Sequence, residues 1–194
     1  MRLQKKNFLM EDKFYFVKQF YNVISSDLCL SLIREFESGN HPPRRVEVGT
    51  RKGIRWWEIN LKNTNENYHD LLVSITSDIL IEYINILKLS GYDLNVSPWN
   101  FENIRIKKYV GGTDDRIDMH YDVGCEDDSR RCLAFLYYLN DDFTGGNTMF
   151  HPNHTIRPKA GSVLVFPPYW MYPHKGEKVI SGNKYIMSTY LGIY

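Results

Sequence analysis

Met119-His120-Tyr121-Asp122 sets an imidazole and a carboxylate two residues apart, and His174 and Lys184 follow within a C-terminal stretch rich in Val, Ile and Tyr. In an extended strand alternate side chains share a face, so residues i and i+2 can both point at one ion. A third ligand from another strand, His174, completes a triad. Two neutral imidazoles and one carboxylate on one side of a metal leave the opposite positions open, the arrangement of a non-heme Fe(II) oxygenase. Zinc hydrolases also use two His and a carboxylate. Their helical His-Glu-x-x-His pattern is absent, and His-x-Asp suits a strand, which puts iron ahead of zinc.

A short motif gains meaning from its surroundings. The segment from Ile104 to Tyr194 carries several ordered pieces: Ile106-Lys107-Lys108-Tyr109 followed by Gly111-Gly112, then His120-Tyr121-Asp122, then Arg131-Cys132-Leu133-Ala134-Phe135-Leu136-Tyr137-Tyr138-Leu139-Asn140. Gly145-Gly146, Phe150, Arg157-Pro158-Lys159-Ala160-Gly161-Ser162, Val163-Leu164-Val165-Phe166, His174 and Lys184 complete the series. In this order they resemble the catalytic core of the prolyl 4-hydroxylase branch of the 2-oxoglutarate/Fe(II) dioxygenases. The decapeptide ending in Tyr137-Tyr138-Leu139-Asn140 looks especially like that of the oxygen-sensing prolyl hydroxylases and their bacterial relatives.

The resemblance implies that His120, Asp122 and His174 bind Fe(II), and that Lys184 pairs with the distal carboxylate of 2-oxoglutarate. A dicarboxylate buried in a barrel needs a fixed cation at its far end, because an unpaired buried carboxylate is heavily penalised. Lys184 lies in the β-rich run Lys184-Tyr185-Ile186-Met187-Ser188-Thr189-Tyr190, where a lone charge otherwise suggests an edge strand guarded against aggregation. Tyr138 and Tyr109 match tyrosines that hold the co-substrate in such relatives, since a phenol supplies a donor without charge. Arg131 matches an arginine close to bound substrate. Two positions depart from the pattern: Ile117 stands where many of these hydroxylases have Tyr, and Tyr190 where most have Trp. Both departures lie near the expected place of the target residue.

The other histidines take an ordinary structural reading first. His151 and His154 flank Pro152-Asn153, a turn signal, and their spacing without a nearby Cys argues against a second metal. His41 precedes Pro42-Pro43, and His69 falls near a helix start.

With 194 residues and 43% hydrophobic composition, the chain is expected to form one domain that buries about 70% of its unfolded surface. The formal charge of +1 provides no global pull toward nucleic acid or an anionic membrane. Basic runs such as Pro42-Pro43-Arg44-Arg45 and Arg51-Lys52 read as loop solvation. Met1 to Asp12 holds no apolar core long enough for a signal peptide, and no stretch approaches a membrane span. Cys29, Cys125 and Cys132 form no short pair motif, which fits a reducing compartment and a cytoplasmic location.

Along the chain, Phe14 to Val17 reads as a strand. Ser25-Ser26-Asp27 opens a helix with Leu28, Leu32, Ile33 and Phe36 on one face, closed by Gly39. Pro42 to Gly53 reads as a loop or ragged hairpin, and Ile54 to Leu61 as extended, with Trp56 and Trp57 on opposite faces, one toward the core and one toward solvent or substrate. Tyr68 to Ser90 repeats Leu72, Ile75, Ile79, Tyr83 and Ile86 at helical steps and stops at Gly91. After Pro98, Ile104 and Ile106 alternate with Arg105, Lys107 and Tyr109, so basic side chains share the face of Tyr109. Asp114 to Asp118 and Gly124 to Arg130 read as charged loops around the metal motif. Asp141-Asp142 with Gly145-Gly146, and Pro158 to Gly161, mark turns between strands.

The expected fold is α+β or mainly β: a double-stranded β-helix, the cupin-like jelly-roll barrel, with N-terminal helices packed on the major sheet. Residues 1–194 form a single Fe(II)/2-oxoglutarate dioxygenase domain, with helical support over about 1–100 and the catalytic core over about 101–194. The implied reaction is hydroxylation of a C–H bond, prolyl 4-hydroxylase-like and on a peptide or protein, using Fe(II), 2-oxoglutarate and O2 and releasing succinate and CO2, with ascorbate as a stimulant. The alternatives are hydroxylation of a free amino acid or metabolite, nucleic-acid demethylation, and a non-catalytic binding module. Demethylases usually anchor the keto acid with Arg, and no nucleic acid is expected as a partner.

Overall fold

The computed structural model describes residues 14–48, 53–95, 99–124, 126 and 128–193. Met1–Asp12, Arg51-Lys52, Pro98 and Cys125 lie outside the described residues. The elements in chain order are β1 (Lys18–Phe20), α1 (Ser26–Glu37), β2 (Arg44–Val48), β3 (Ile54–Asn60), α2 (Leu61–Thr64), α3 (Glu66–Leu89), β4 (Trp99–Phe101), β5 (Arg105–Val110) and β6 (Arg116–His120). They continue with β7 (Arg131–Tyr138), β8 (Thr144–Gly145), β9 (Thr148–Phe150), β10 (His154–Ile156), β11 (Val163–Phe166), β12 (His174–Gly176), β13 (Val179–Ser181) and β14 (Asn183–Ile193).

One antiparallel sheet runs in the order β1-β11-β7-β14-β5-β3-β6-β12-β9-β10, with β2 added to β3 and β4 added to β14. β3 turns the sheet over: Trp57 to Asn60 pair with β5, whereas Ile54 and Arg55 pair with β6. The result is a curled half-barrel of the double-stranded β-helix type, mainly β with few helices, as the sequence predicted.

Strand alternation divides the molecule into two cores. Leu133, Phe135 and Tyr137 of β7, with Tyr185, Met187 and Leu191 of β14, face α1 and α3. Ala134 and Tyr138 of β7 and Ile186 of β14 face the inside of the barrel, where Tyr109, Phe150 and Phe166 join them. Side chains one residue apart point to opposite faces, so one strand supports the helices and lines the cavity at once.

Ser25 caps α1 by accepting the Leu28 N–H, and Cys29, Leu32 and Phe36 form its buried stripe. In α3 the fully buried positions are Leu72, Thr76, Leu80, Tyr83 and Leu87, while Ile75 and Ile79 are only partly buried. The stripe is therefore centred away from the line through Ile75, Ile79 and Ile86. Thr76 is tolerated at its centre because its hydroxyl lies 2.6 Å from the Leu72 carbonyl and 2.8 Å from the Tyr137 hydroxyl.

Three local expectations change. Phe14 to Phe16 form a turn, closed by the Val17 N–H on the Phe14 carbonyl at 2.9 Å, and the strand begins at Lys18. The aromatic rings there wedge into clusters rather than alternate along a ladder, with Phe14 stacked on His154 at 4.3 Å. Of the loop or ragged hairpin expected over Pro42 to Gly53, the hairpin holds but is regular where described, with β2 paired to β3 from Arg44↔Glu58 to Val48↔Ile54. The charged stretch from Asp114 to Asp118 is strand from Arg116 onward, because Arg116 and Asp118 pair with each other at 2.7 Å instead of needing solvent.

Candidate metal centre

β6 and β12 are neighbours, and their register sets His174 directly opposite His120. The two rings are 4.3 Å apart. His120 Nδ1 lies 2.8 Å from the Asp118 carbonyl oxygen, and His174 Nδ1 lies 3.1 Å from that of Tyr172. A carbonyl only accepts, so in the neutral rings each Nδ1 carries the proton and each Nε2 keeps a free lone pair. Both Nε2 atoms face the Asp122 carboxylate: His120 Nε2 is 3.2 Å from Oδ1 and His174 Nε2 is 3.6 Å from Oδ2. The ligand atoms of the three residues all lie within 4.8 Å of one another, close enough to share an ion. Among the described residues no other group of three such side chains does this.

The chain leaves β6 at His120, so Asp122 is held by a loop and not by strand alternation. Its N–H donates to the Pro168 carbonyl at 3.0 Å, and its own carbonyl accepts from Arg131 at 3.2 Å. Arg131 is otherwise saturated. It pairs with both oxygens of Glu102 at 2.5 and 3.0 Å, pairs with Asp128 at 2.6 Å, and stands 4.0 Å over the Tyr190 ring. Burial alone weakens its hold on the proton, but the Glu102 hydrogen bonds reverse this and push the guanidinium pKa up.

Burial pushes the Asp122 carboxyl up, but the His120 hydrogen bond and the nearby histidines outweigh it and hold the group at about 2. Burial pushes His174 down to about 4, against the pull of Asp122. Near neutral pH the set is therefore a carboxylate and a neutral imidazole presented together with His120, which is the protonation metal binding requires.

Lys184 is 3% exposed and lines the same cavity. Its amine donates to the Gly146 carbonyl at 2.5 Å, and among the described residues no carboxylate lies within ion-pairing distance. Burial pushes its pKa down to about 7, with Glu177 opposing the shift. Gly146 has φ +66°, and a Cβ there would come within 2.9 Å of Phe143 and 3.3 Å of Lys184 Cδ, so the turn that offers this carbonyl needs glycine. The rings of Tyr109 and Tyr138 lie 5.7 and 5.6 Å from the amine. Tyr109 lines the cavity. The buried Tyr138 hydroxyl instead donates to Thr148 Oγ1 at 2.8 Å, and Thr148 lines the cavity in its place.

Ile117 and Tyr190 line the cavity as well. Trp56 packs toward it with its ring 6.3 Å from Tyr109, while Trp57 is 38% exposed beneath Arg45. His41 and His69 sit beside Glu35 and Asp70, away from the triad. Sequence reasoning missed Thr148 and Glu102. It also could not name the carbonyls that orient the two histidines, because every residue has a carbonyl and only the fold selects one.

The fold is a jelly roll, and its two-histidine, one-carboxylate set beside the cavity could hold a metal ion. The buried, unpaired Lys184 amine adds a place for an anion. Residues 104–192 match the 2OG-Fe(II) oxygenase superfamily. A putative prolyl 4-hydroxylase of Acanthamoeba polyphaga mimivirus is 27% identical over 190 residues, covering 87% of this chain and 71% of that protein. The viral collagen prolyl hydroxylase of Paramecium Bursaria Chlorella virus-1, solved with 2OG, superposes with a TM-score of 0.67 at 21% identity, over 92% of this chain and 97% of that one. A Trichoplax adhaerens prolyl hydroxylase in complex with a hypoxia inducible factor peptide fragment gives 0.67 at 16% identity, over 91% and 83%. The match over residues 104–192 and the likeness to these relatives support a 2OG-Fe(II) oxygenase of the prolyl 4-hydroxylase-like branch, an oxidoreductase of the hydroxylase class. Fe(II), 2-oxoglutarate and O2 are the cofactor and co-substrates of that family, and the donor set fits the metal.

Proposed function

We propose that this protein hydroxylates a C–H bond of a prolyl residue in a peptide or protein. His120, Asp122 and His174 hold Fe(II), and Lys184 binds the distal carboxylate of 2-oxoglutarate. The supporting observation is that an oriented His-Asp-His set and an unpaired buried ammonium open into one cavity. Fe(II) with 2-oxoglutarate and O2 supplies the oxidation, and succinate and CO2 are the co-products.

The chain's own share is position and dryness. The Asp118 and Tyr172 carbonyls fix both imidazole tautomers, and Arg131 with Pro168 fixes the Asp122 loop. Lys184, Tyr109 and Thr148 form the far wall, where an anionic end is neutralised and hydrogen-bonded. Tyr138 acts through Thr148. Tyr190 and Ile117 line the cavity, where a substrate would rest against apolar surface. The N-terminal strands β2 and β3 are hydrogen-bonded into the same sheet as β5 and β6, which supports residues 1–194 acting as one dioxygenase domain. No helix among the described residues is long and apolar enough to cross a membrane.

The test is succinate release. Protein given Fe(II), ascorbate and 2-oxoglutarate should turn over slowly alone and faster with proline-rich peptides, and Asp122→Ala should lose both activities. Stimulation by methylated oligonucleotides and not by peptides would remove the prolyl assignment.

A further inference from the structure

The cavity holds a second cation that the metal and the co-substrate leave unused. Lys107 of β5 lines it, two residue pairs along the ladder from the Tyr109–Lys184 pair, opposite Ile186. The two lysines are diagonal neighbours on adjacent strands, with anchor points ~7–8 Å apart. Lys107 lies at the end nearer the metal ligands, where the Asp122 charge acts on it.

Every neighbouring carboxylate is already engaged. Glu58, on the same face of β3, accepts from Arg44 at 2.6 Å through one oxygen and from the Trp56 indole at 2.9 Å through the other. Asp122 is turned toward the two histidines. The other cations near this end are taken: Arg131 by Glu102 and Asp128, and Arg105 by Glu102 at 3.8 Å. Among the described residues the Lys107 amine makes no ion pair and no hydrogen bond. It rests 4.8 Å over the Trp56 ring, which holds the side chain in place without neutralising it. Burial pushes its pKa down, with Glu58 and Asp122 opposing. A partly buried ammonium held on an aromatic face and turned into a cavity lacks only its counter-ion.

We propose that Lys107 is a specificity-determining residue that binds a carboxylate carried by the primary substrate, either an acidic side chain next to the target residue of a peptide or the α-carboxylate of a free amino acid. The proposal rests on the oxygenase reading of the site and deepens it. Lys184 takes the co-substrate, and Lys107 selects what is oxidised. A neutral or basic substrate would leave the ammonium unpaired.

The test uses full-length protein with Fe(II) and 2-oxoglutarate and two matched probe pairs. One pair is proline-containing peptides with Asp or Glu beside the proline against their Asn or Gln counterparts. The other is L-proline against L-prolinamide. The acidic member of one pair should be favoured about tenfold or more in kcat/KM, and which pair responds identifies the source of the carboxylate. Lys107→Met should erase that preference, Lys107→Arg should keep most of it, and Lys107→Glu should shift it toward peptides bearing Lys at the same place. Fluorescence anisotropy of labelled peptides, without O2, should show the same order in dissociation constants. Equal use of both members of each pair by the unmodified protein, or a preference that survives in Lys107→Met, overturns the proposal. So does a weaker 2-oxoglutarate affinity in Lys107→Met with the substrate preference intact, which would give the amine to the co-substrate. Failure of the unmodified protein to release succinate under any condition is a separate result and would sink the oxygenase reading itself.

Discussion

The proposed anchoring role of Lys184 makes co-substrate binding depend on pH in a direction that can be worked out. Its amine titrates at about 7 in the ligand-free protein because burial disfavours the charged form. A bound dicarboxylate supplies the missing counter-charge and raises that pKa back toward the ordinary ~10.4 of lysine. Below about pH 7 the amine is already protonated and binding takes up no proton. Above it, binding must take one up, so the association constant falls by up to ~10-fold per pH unit. From pH 7 to pH 9 the expected loss is about 50-fold, since 2-oxoglutarate itself stays a dianion over this range. The ligand-free protein moves the opposite way. Its folded state sheds the proton near 7 while the unfolded chain keeps it to ~10.4, so stability rises with pH across that window by up to ~1.4 kcal/mol per unit. The assay is calorimetric titration of 2-oxoglutarate into the Fe(II) protein without O2, at half-unit steps from pH 7 to 9 in buffers of different ionisation enthalpy. Lys184→Met should bind weakly with no slope, and Lys184→Arg, which keeps its charge throughout, should also lose the slope. An affinity that stays flat in the unmodified protein, or a slope that persists in Lys184→Met, would refute the anchoring role of this amine.

Other consequences are open to simple measurements. Fe(II) at about 100 times its dissociation constant should add ~2.7 kcal/mol to stability, raising Tm by roughly 5–10 °C, and both a chelator and Asp122→Ala should remove the gain. Gly146→Ala should weaken 2-oxoglutarate at least tenfold with little change in Fe(II) affinity, because the new methyl group crowds Phe143 and the Lys184 stem; unchanged 2-oxoglutarate affinity would contradict the cradle described for Gly146. Thr76→Val should cost about 1–3 kcal/mol in urea unfolding by stranding the buried Tyr137 hydroxyl, Tyr137→Phe should cost less because Thr76 still donates to the Leu72 carbonyl, and the double variant should cost clearly less than their sum. Strict additivity would mean that the pair does not bond in solution.

What was legible in the sequence followed from periodicity and from chemistry that few residue types can supply. The helix stop at Gly39, the extended run after Ile54 and the alternation that puts Lys107 and Tyr109 on one face all came through, because strand and helix periods act on every residue. Buried polar pairs broke the pattern. Thr76 sits at the centre of the α3 stripe only because Tyr137, distant in sequence, supplies a hydroxyl partner, and hydropathy alone cannot see that compensation. Tyr138 shows the same limit at the site. Its position in the family pattern was visible, yet its hydroxyl is spent on Thr148, a residue whose role depends on how β9 approaches β7. Arg131 was expected beside substrate, and the structure shows it tied to Glu102, Asp128 and the Asp122 carbonyl, a set drawn from the β4–β5 and β6–β7 connections.

The curled sheet explains why these burdens fall on the same few strands. β14 contributes Tyr185, Met187 and Leu191 to the core under the helices and Lys184, Ile186 and Tyr190 to the cavity, so neighbouring residues answer to different constraints. A one-residue slip in its register would exchange the two sets, burying an ammonium under α1 and placing Tyr185 at the far wall. The core face is the stronger of the two, since large buried apolar side chains contribute ~1.5–3 kcal/mol each, and it fixes where the charged face must point. Lys184 and Lys107 can therefore be held without counter-ions because the other half of the same strands supplies the stability that their burial opposes. Substitutions that trim the core face of β14, such as Met187→Ala, should then weaken co-substrate binding although Met187 never touches the cavity.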